Sequence, residues 1–184
     1  MDKNIKNGVD IKDKAYYARC IRQLKEWGAP LDGWRCVKVI DVKEDGYEIG
    51  CFEDLFECEL CGCTNVRYVH IMEHDLYFEE VRVGCICAGI MEGDILKAEE
   101  RERKMKNRAR RRKNFIKRKW KEVGYNEWVR TYRHKDLCIR KINDRYYVSA
   151  GSAMTRTYKG EPIKDYYSAV YAAFKLADPV EDVL

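Results

Sequence analysis

The sequence predicts an α+β fold, and three observations support this prediction. Residues 10–27 have the apolar spacing of an amphipathic helix, several short β-rich runs lie between turn residues, and residues 94–123 contain neither glycine nor proline. The 184 residues suffice for one or two domains. No apolar run is long enough for a membrane span, and the polar start lacks the apolar run of a secretory signal. With 12% aromatic residues, a disordered chain is not expected.

The first predicted segment, residues 1–55, combines a helix and a β-hairpin. Apolar residues recur at helical spacing within residues 10–27, and Gly28 follows as a stop signal. Two β-rich runs, WRCVKVIDV and YEIGCF, then lie on either side of KEDG. Because Asp-Gly favours the tight turns of hairpins, we expect these runs to pair around Asp45 and Gly46.

The chain contains nine cysteines, which is many for its length. Five lie within 30 residues, at positions Cys58, Cys61, Cys63, Cys85 and Cys87. The other four are scattered among apolar neighbours and are expected to fill the core: Cys20, Cys36, Cys51 and Cys138. Without a secretory signal, we expect a cytoplasmic location. There, clustered cysteines more often bind metal than form disulfides.

The second segment, residues 56–94, carries this cysteine group. CELCG at residues 58–62 is a zinc-knuckle sequence, the runs VRYVHIM and LYFEEVRVG predict two strands, and GCICAG leads into a helical pattern. Four thiolates favour zinc over hard cations, so the predicted zinc ligands are Cys58, Cys61, Cys85 and Cys87. Because the second pair is separated by one residue rather than two, His70 or His74 could replace Cys85, and Cys63 could also compete.

These motifs resemble known zinc proteins. The order of knuckle, hairpin, cysteine pair and helix is similar to a treble clef zinc finger, and His70 matches the catalytic strand of the zinc-bound HNH nuclease pattern. There is no second histidine beside His70, and Ala88 stands where that pattern has a metal-binding histidine, so the resemblance implies a degenerate finger. From Trp34 to the last helix, the motif order also resembles an uncharacterised family of bacterial and phage proteins.

The third segment, residues 95–123, is predicted to be one long helix with Asp94 as its N-cap and Gly124 after its end. Residues 97–121, called here the basic segment, carry 14 Lys and Arg and three Glu, a net charge of +11. The rest of the chain is therefore acidic, because the whole chain carries only +5. The apolar stripe is narrow and consists of Ala98, Met105, Ala109, Ile116, Trp120 and Val123.

Such concentrated positive charge predicts contact with a polyanion. The basic residues expected to bind nucleic acid, DNA or RNA, or a nucleic-acid-processing protein are Arg108, Arg110, Arg111, Arg112, Lys113, Lys117, Arg118 and Lys119. A membrane surface is not expected to be the partner, because the apolar stripe is narrow.

The last segment, residues 124–184, is predicted to be a ββα unit. LCIRKI and RYYVSAG flank Asn143 and Asp144, which favours a hairpin, and TRTYKG is a candidate third strand. Asp165 is placed to cap a final helix, YYSAVYAAFKLA.

Together these patterns predict a non-catalytic, zinc-containing nucleic-acid-binding protein. One alternative is a phage or mobile-element anti-defence inhibitor, anti-CRISPR-like, that docks its basic face on the nucleic-acid channel of a nuclease. A second alternative is a degenerate HNH-type nuclease.

Overall fold

A computed structural model describes residues 12–180, with side chains from residue 14 onwards, and it confirms the α+β fold. Residues 10 and 11 of the predicted first helix and the last four residues of the chain lie outside this described part. The described residues form two compact units, one ending at Arg103 and the other beginning at Lys104.

The first unit contains a three-stranded sheet, and its three helices come before, between and after the strands along the chain. Its elements are α1 (Lys12–Glu26), β1 (Arg35–Asp41), α2 (Val42–Asp45), a 3-10 turn (Gly46–Ile49), β2 (Tyr68–His74), β3 (Tyr77–Val83) and α3 (Cys85–Glu92). The sheet order is β1-β2-β3 and every pair is antiparallel. The middle strand β2 is buried from Tyr68 to Met72, and its side chains form a common core with Leu24 and Met91.

The predicted hairpin around Asp45 and Gly46 is wrong. Asp41 instead caps α2 by accepting a hydrogen bond from the Lys43 amide at 3.2 Å. Gly46 has a right-handed helical φ of −55°, not the positive φ that a tight hairpin turn needs. A Cβ at Gly46 would lie 2.5 Å from the Cys51 carbonyl oxygen, so this glycine permits a close backbone approach. The partner of β1 is β2, which lies much later in the chain.

The long helix α4 spans Ile95–Lys117 and crosses from the first unit into the second. Asp94 accepts a hydrogen bond from the Lys97 amide at 2.9 Å, as expected of an N-cap. The helix ends six residues before the predicted Val123, because Lys121–Gly124 pairs as a strand with the next segment. Its buried positions also differ from the predicted stripe and are Ala98, Arg101, Met105, Arg108 and Phe115.

The second unit is a five-stranded antiparallel meander covered by a helix. After the C-terminal part of α4, its elements are β4 (Lys121–Gly124), β5 (Glu127–Tyr132), β6 (Lys135–Ile142), β7 (Arg145–Ala150), β8 (Ala153–Thr155), β9 (Thr157–Tyr158), β10 (Glu161–Pro162) and α5 (Tyr166–Ala177). The sheet order is β4-β5-β6-β7-β8, and β9 pairs with β10. Phe115, Ile139 and Val148 pack with Phe174 of α5 in the core.

The predicted hairpin around Asn143 and Asp144 is present, and the Asp165 carboxylate caps α5 through the Ser168 amide at 2.8 Å. The predicted ββα unit was nevertheless too small, because strands β4 and β5 were not expected. Within residues 12–180, no helix is both long and apolar enough to cross a membrane.

Candidate metal centre and basic surface

The first half of the candidate metal centre is the turn at residues 58–62. The Cys58 amide donates to the Cys63 carbonyl at 2.8 Å, and the Gly62 amide donates to the Cys58 carbonyl at 2.8 Å. Gly62 has a φ of +72°, which glycine adopts without a Cβ clash. This tight turn brings the sulfur atoms of Cys58 and Cys61 within 4.8 Å of each other.

The second half is the beginning of α3. Gly84 is the N-cap, with an extended backbone, and its amide donates to the Cys58 sulfur at 3.4 Å. Cys87 follows in the first turn of the helix and is 1% exposed. Its sulfur lies within 4.8 Å of both sulfur atoms of the turn. We call the sulfur atoms of Cys58, Cys61 and Cys87 the sulfur cluster.

The surroundings of Cys58 favour its thiolate form. A hydrogen bond from Cys87 lowers the pKa of the Cys58 thiol to about 5, and the Gly84 amide acts in the same direction, whereas burial opposes both. The positive end of α3 also favours negative charge at this position. Since the thiolate is the form of cysteine that binds metals, Cys58 is prepared for a cation, whereas hydrogen bonds with Cys20 and Cys58 together with burial raise the pKa of Cys87.

The residues of the cluster fit a metal ion. Thiolate sulfur is a soft donor, and three such atoms from a turn and a helix end are a donor set that transition metals such as zinc accept. Three of the four predicted ligands are therefore brought together, and they could hold a metal ion.

The fourth predicted ligand, Cys85, is not part of the cluster. Because α3 begins at Cys85, Cys85 and Cys87 are two residues apart on a helix, and such positions do not face each other. The sequence pattern had treated them as a pair because the start of the helix could not be located to the residue.

The two alternative histidines also lie away from the cluster. His70 is fully buried in β2, opposite Val39 and Val83 in the neighbouring strands. The His74 Nδ1 accepts a hydrogen bond from the Leu76 amide at 3.0 Å, and its ring lies 5.4 Å from that of Trp34. Cys63, the remaining competitor, has an exposed side chain and is outside the cluster.

Two residues of α1 contact the cluster, and the sequence analysis assigned neither to it. The Tyr16 hydroxyl lies 2.9 Å from the Cys87 sulfur, and the Cys20 sulfur lies 4.0 Å from the same atom. Cys20 is fully buried, as expected, but it lies beside thiols rather than among apolar side chains alone. The available signal was the spacing of Tyr16 and Cys20, which places both on one face of a helix.

Comparisons with protein-family models, with curated proteins and with solved structures found no match to this chain.

The basic segment divides into buried and exposed side chains. Arg108 is 1% exposed, its Nε donates to the Asp178 carbonyl at 2.8 Å, and its guanidinium lies 5.0 Å from the centre of the Phe174 ring. Arg111 donates two hydrogen bonds to the Asp178 carboxylate, at 2.6 and 2.8 Å. Arg112 lies 5.9 Å from the centre of the Tyr171 ring. These three arginines therefore attach α4 to α5 and the residue after it.

The remaining predicted binding residues are exposed: Arg110, Lys113, Lys117, Arg118 and Lys119. The first three lie on α4, and the last two lie in the short connection to β4. Arg110 donates to the uncharged side chain of Asn107 at 3.2 Å. Among the described residues, none of these five forms an ion pair with a carboxylate, so their charge is available to an external anion.

A groove of about 370 Å³ begins where the helix ends. Its lining includes three basic residues and one acidic residue, Lys117, Arg118, Lys119 and Glu122, and four aromatic residues, Trp120, Trp128, Tyr166 and Tyr167. Tyr167 is 72% exposed, whereas the rings of Trp128 and Tyr166 are packed with their centres 5.1 Å apart. The Trp120 Nε1 has no hydrogen-bond partner among residues 12–180, although it is buried. Positive charge, aromatic faces and an unused donor are thus placed side by side.

Proposed function

We propose that this protein is a non-catalytic nucleic-acid-binding protein that holds a structural zinc ion in a treble-clef-like finger. The order of knuckle, β2–β3 hairpin and α3, with thiols from the knuckle and from the first turn of the helix, supports the finger assignment. The sulfur cluster supports zinc, because zinc is redox-inert and prefers thiolate ligands in structural sites. Thiolate ligation requires reduced cysteines, which suits the cytoplasm.

The groove beside the exposed end of α4 is the observation that carries the nucleic-acid proposal. Lysine and arginine bind phosphate by charge and hydrogen bonds, and aromatic rings stack on bases of any sequence. Lys117, Arg118 and Lys119 line the same groove as Trp120 and Tyr167, so both kinds of contact are available together. Single-stranded nucleic acid exposes phosphates and base faces at once and is therefore the favoured form of the ligand.

The position of His70 favours binding over cleavage. A catalytic imidazole has to reach its substrate within hydrogen-bonding distance. His70 has no exposed surface, and β1 and β3 flank it on both sides. The nuclease alternative would require magnesium- or manganese-dependent cleavage by the pure protein that is lost in the variant His70→Ala.

Replacement of the exposed charges tests the proposal. The binding variant changes Arg110, Lys113, Lys117 and Lys119 to Gln, and a matched control changes four exposed basic residues elsewhere to Gln: Lys14, Arg22, Lys25 and Lys164. Fluorescence anisotropy with labelled single-stranded DNA, single-stranded RNA and duplex DNA measures affinity between roughly 50 and 200 mM salt. We expect the log–log salt slope for single strands to fall by about 0.7 for each lost phosphate contact in the binding variant only.

Removal of an exposed ring tests the stacking contact separately. Tyr167→Ala should weaken single-strand binding by about 1–3 kcal/mol, and Tyr125→Ala should have no effect, because Tyr125 is 95% exposed and does not line the groove.

If both charge variants bind nucleic acid equally, the proposal is refuted. If neither form binds nucleic acid but the binding variant loses a stoichiometric protein complex, the inhibitor alternative replaces it.

A further inference from the structure

The sulfur cluster is one ligand short of a structural zinc site. Structural zinc is almost always bound by four protein ligands in a tetrahedron, with Zn–S distances of about 2.3 Å. That geometry separates neighbouring sulfur atoms by about 3.8 Å. The cluster supplies three sulfur atoms, and Cys85, the fourth ligand expected from the sequence, is not among the sulfur atoms that lie within 4.8 Å of one another.

The helix α1 places one further thiol beside the cluster. The Cys20 sulfur lies 4.0 Å from the Cys87 sulfur, close to the separation of two thiolates that share a zinc ion. Cys20 has no exposed surface, so its sulfur faces the protein interior. It does not lie within 4.8 Å of all three cluster atoms, so metal binding would draw α1 slightly inward.

Tyr16 identifies this face of α1 as the one directed at the metal site. Tyr16 and Cys20 are four residues apart and so share a helix face, and both contact the Cys87 sulfur. A phenol hydroxyl is a hydrogen-bond donor suited to a thiolate, and metal-bound ligands commonly have such outer partners. Two independent contacts from one helix turn therefore converge on a single ligand atom.

We infer that Cys20 is the fourth zinc ligand and completes a four-thiolate site with Cys58, Cys61 and Cys87. This inference rests on the zinc site of the proposed function. The thiols that are still protonated release their protons to solvent when the ion binds, so that all four ligands are thiolates. The Tyr16 hydroxyl donates a hydrogen bond to the Cys87 thiolate and stays outside the coordination sphere. The zinc ion then joins α1 directly to the knuckle and to α3.

X-ray absorption of the zinc-loaded full chain measures the ligands directly. We expect four sulfur atoms at about 2.3 Å in the unmodified protein, and three sulfur atoms with one lighter ligand at about 2.0–2.2 Å in Cys20→Ser. Competition with a chromogenic chelator should show at least a tenfold loss of zinc affinity in Cys20→Ser. Tyr16→Phe should keep four sulfur atoms and lose affinity by a smaller factor.

Two thiols outside the proposed set serve as controls. Cys85→Ser and Cys36→Ser should keep four sulfur atoms and unchanged affinity. Loss of one sulfur in Cys85→Ser, an unaltered sulfur count in Cys20→Ser, or only three sulfur atoms in the unmodified protein would overturn the assignment of Cys20. If Cys20→Ser does not fold, four sulfur atoms in the unmodified protein, in Cys85→Ser and in Cys63→Ser still support Cys20. Absence of stoichiometric zinc from the unmodified protein would instead refute the zinc site itself.

Discussion

At the residue scale, His70 is unusual because an ionisable side chain lies fully buried. Neither ring nitrogen has a partner in hydrogen-bonding geometry among the described residues. Burial, followed by the nearby positive charge of Arg101, lowers the pKa of His70 to about 4, although Glu102 and Glu92 oppose this shift. His70 is therefore neutral in the folded protein at neutral pH.

This pKa predicts a specific acid sensitivity. An unfolded histidine has a pKa of about 6.5, so between that pH and about 4 the unfolded state takes up a proton that the folded state does not. The folded state should lose about 1 kcal/mol from this residue between pH 7.5 and 5.5. Urea unfolding of the unmodified protein and of His70→Leu, each at pH 7.5 and 5.5, gives the free energy of unfolding. The difference between their pH dependences is the contribution of His70. An equal pH dependence in the two proteins would contradict the prediction. Any loss of zinc at low pH changes the stability of both proteins in the same way, so it does not alter the comparison.

Asp178 is the second residue whose burial has a measurable consequence. Its side chain is 1% exposed and accepts hydrogen bonds from Arg111 and from the Tyr132 hydroxyl at 3.0 Å. Burial, the largest single effect, raises the pKa of Asp178, but the hydrogen bonds from Arg111 and Tyr132 and the positive charges of Arg111 and Arg133 together lower it.

Asp178→Asn should therefore destabilise the second unit. Removing one partner of a fully buried pair costs about 3–5 kcal/mol, and we expect about 2 kcal/mol here, since Arg111 is partly exposed. The control is Glu127→Gln, which breaks the more exposed pair with Arg140 and should destabilise the protein much less, because solvent screens this pair. Chemical denaturation, followed by circular dichroism, measures the free energy of unfolding of both variants. Equal losses in the two variants would show that Asp178 does not hold α4 to α5.

At the element scale, the close approach of α3 and α4 depends on one glycine. A Cβ at Gly89 would lie 2.6 Å from the Cα and 3.0 Å from the Cγ1 of Ile95. The nearer atom belongs to the backbone and cannot rotate away, so the two helices would have to separate.

Gly89→Ala should lower the stability of the first unit by about 1–3 kcal/mol, the usual cost of overpacking. Gly124→Ala is the matched control, because its Cβ would meet only the flexible Glu127 carboxylate at 3.8 Å. Thermal unfolding of both variants decides the point, and an unchanged melting temperature for Gly89→Ala would mean that the helices tolerate the methyl group.

The same scale explains which elements the sequence could predict. The helix α1, strands β2 and β3, and the β6–β7 hairpin carry clear periodicity or the turn residues Asn143 and Asp144, both with positive φ. The β5–β6 turn uses Arg133 and His134, also with positive φ, and this pair lacks the Asn, Asp or Gly that signals a tight hairpin turn. The strand β5 was missed for this reason, and β4 was missed because residues 121–123 had been predicted as the end of the long helix.

The candidate sites show the same division. Local spacing was enough to identify Cys58, Cys61 and Cys87, whereas the contact of Cys20 with Cys87 joins residues 67 positions apart. Arg108 and Arg111 look identical to their exposed neighbours in sequence, and only the packing of α5 separates them. Charge count therefore predicts a basic element but not which of its side chains remain available.

At the scale of the whole molecule, each unit has its own hydrophobic core and its own source of stability. The core of the first unit includes Cys58 and Cys87, so the ligands of the metal centre are also core residues. The core of the second unit is built from the sheet, α5 and Phe115, and it contains no cysteine among its buried members. Metal binding should therefore stabilise one unit far more than the other.

Zinc removal should selectively expose the first unit. Structural zinc contributes about 10–16 kcal/mol of apparent binding free energy in small fingers, more than a small core supplies, so chelation should open the sheet around β2. Hydrogen exchange of the full chain, read by mass spectrometry with and without chelator, should show lost protection in residues 12–92 and retained protection in residues 127–177. Cys58→Ser should reproduce the chelated pattern without chelator, and Cys138→Ser, which alters a partly buried thiol of the second unit, should not. Loss of protection in both units at once would show that they unfold together, and unchanged protection in both would show that the metal is not structural.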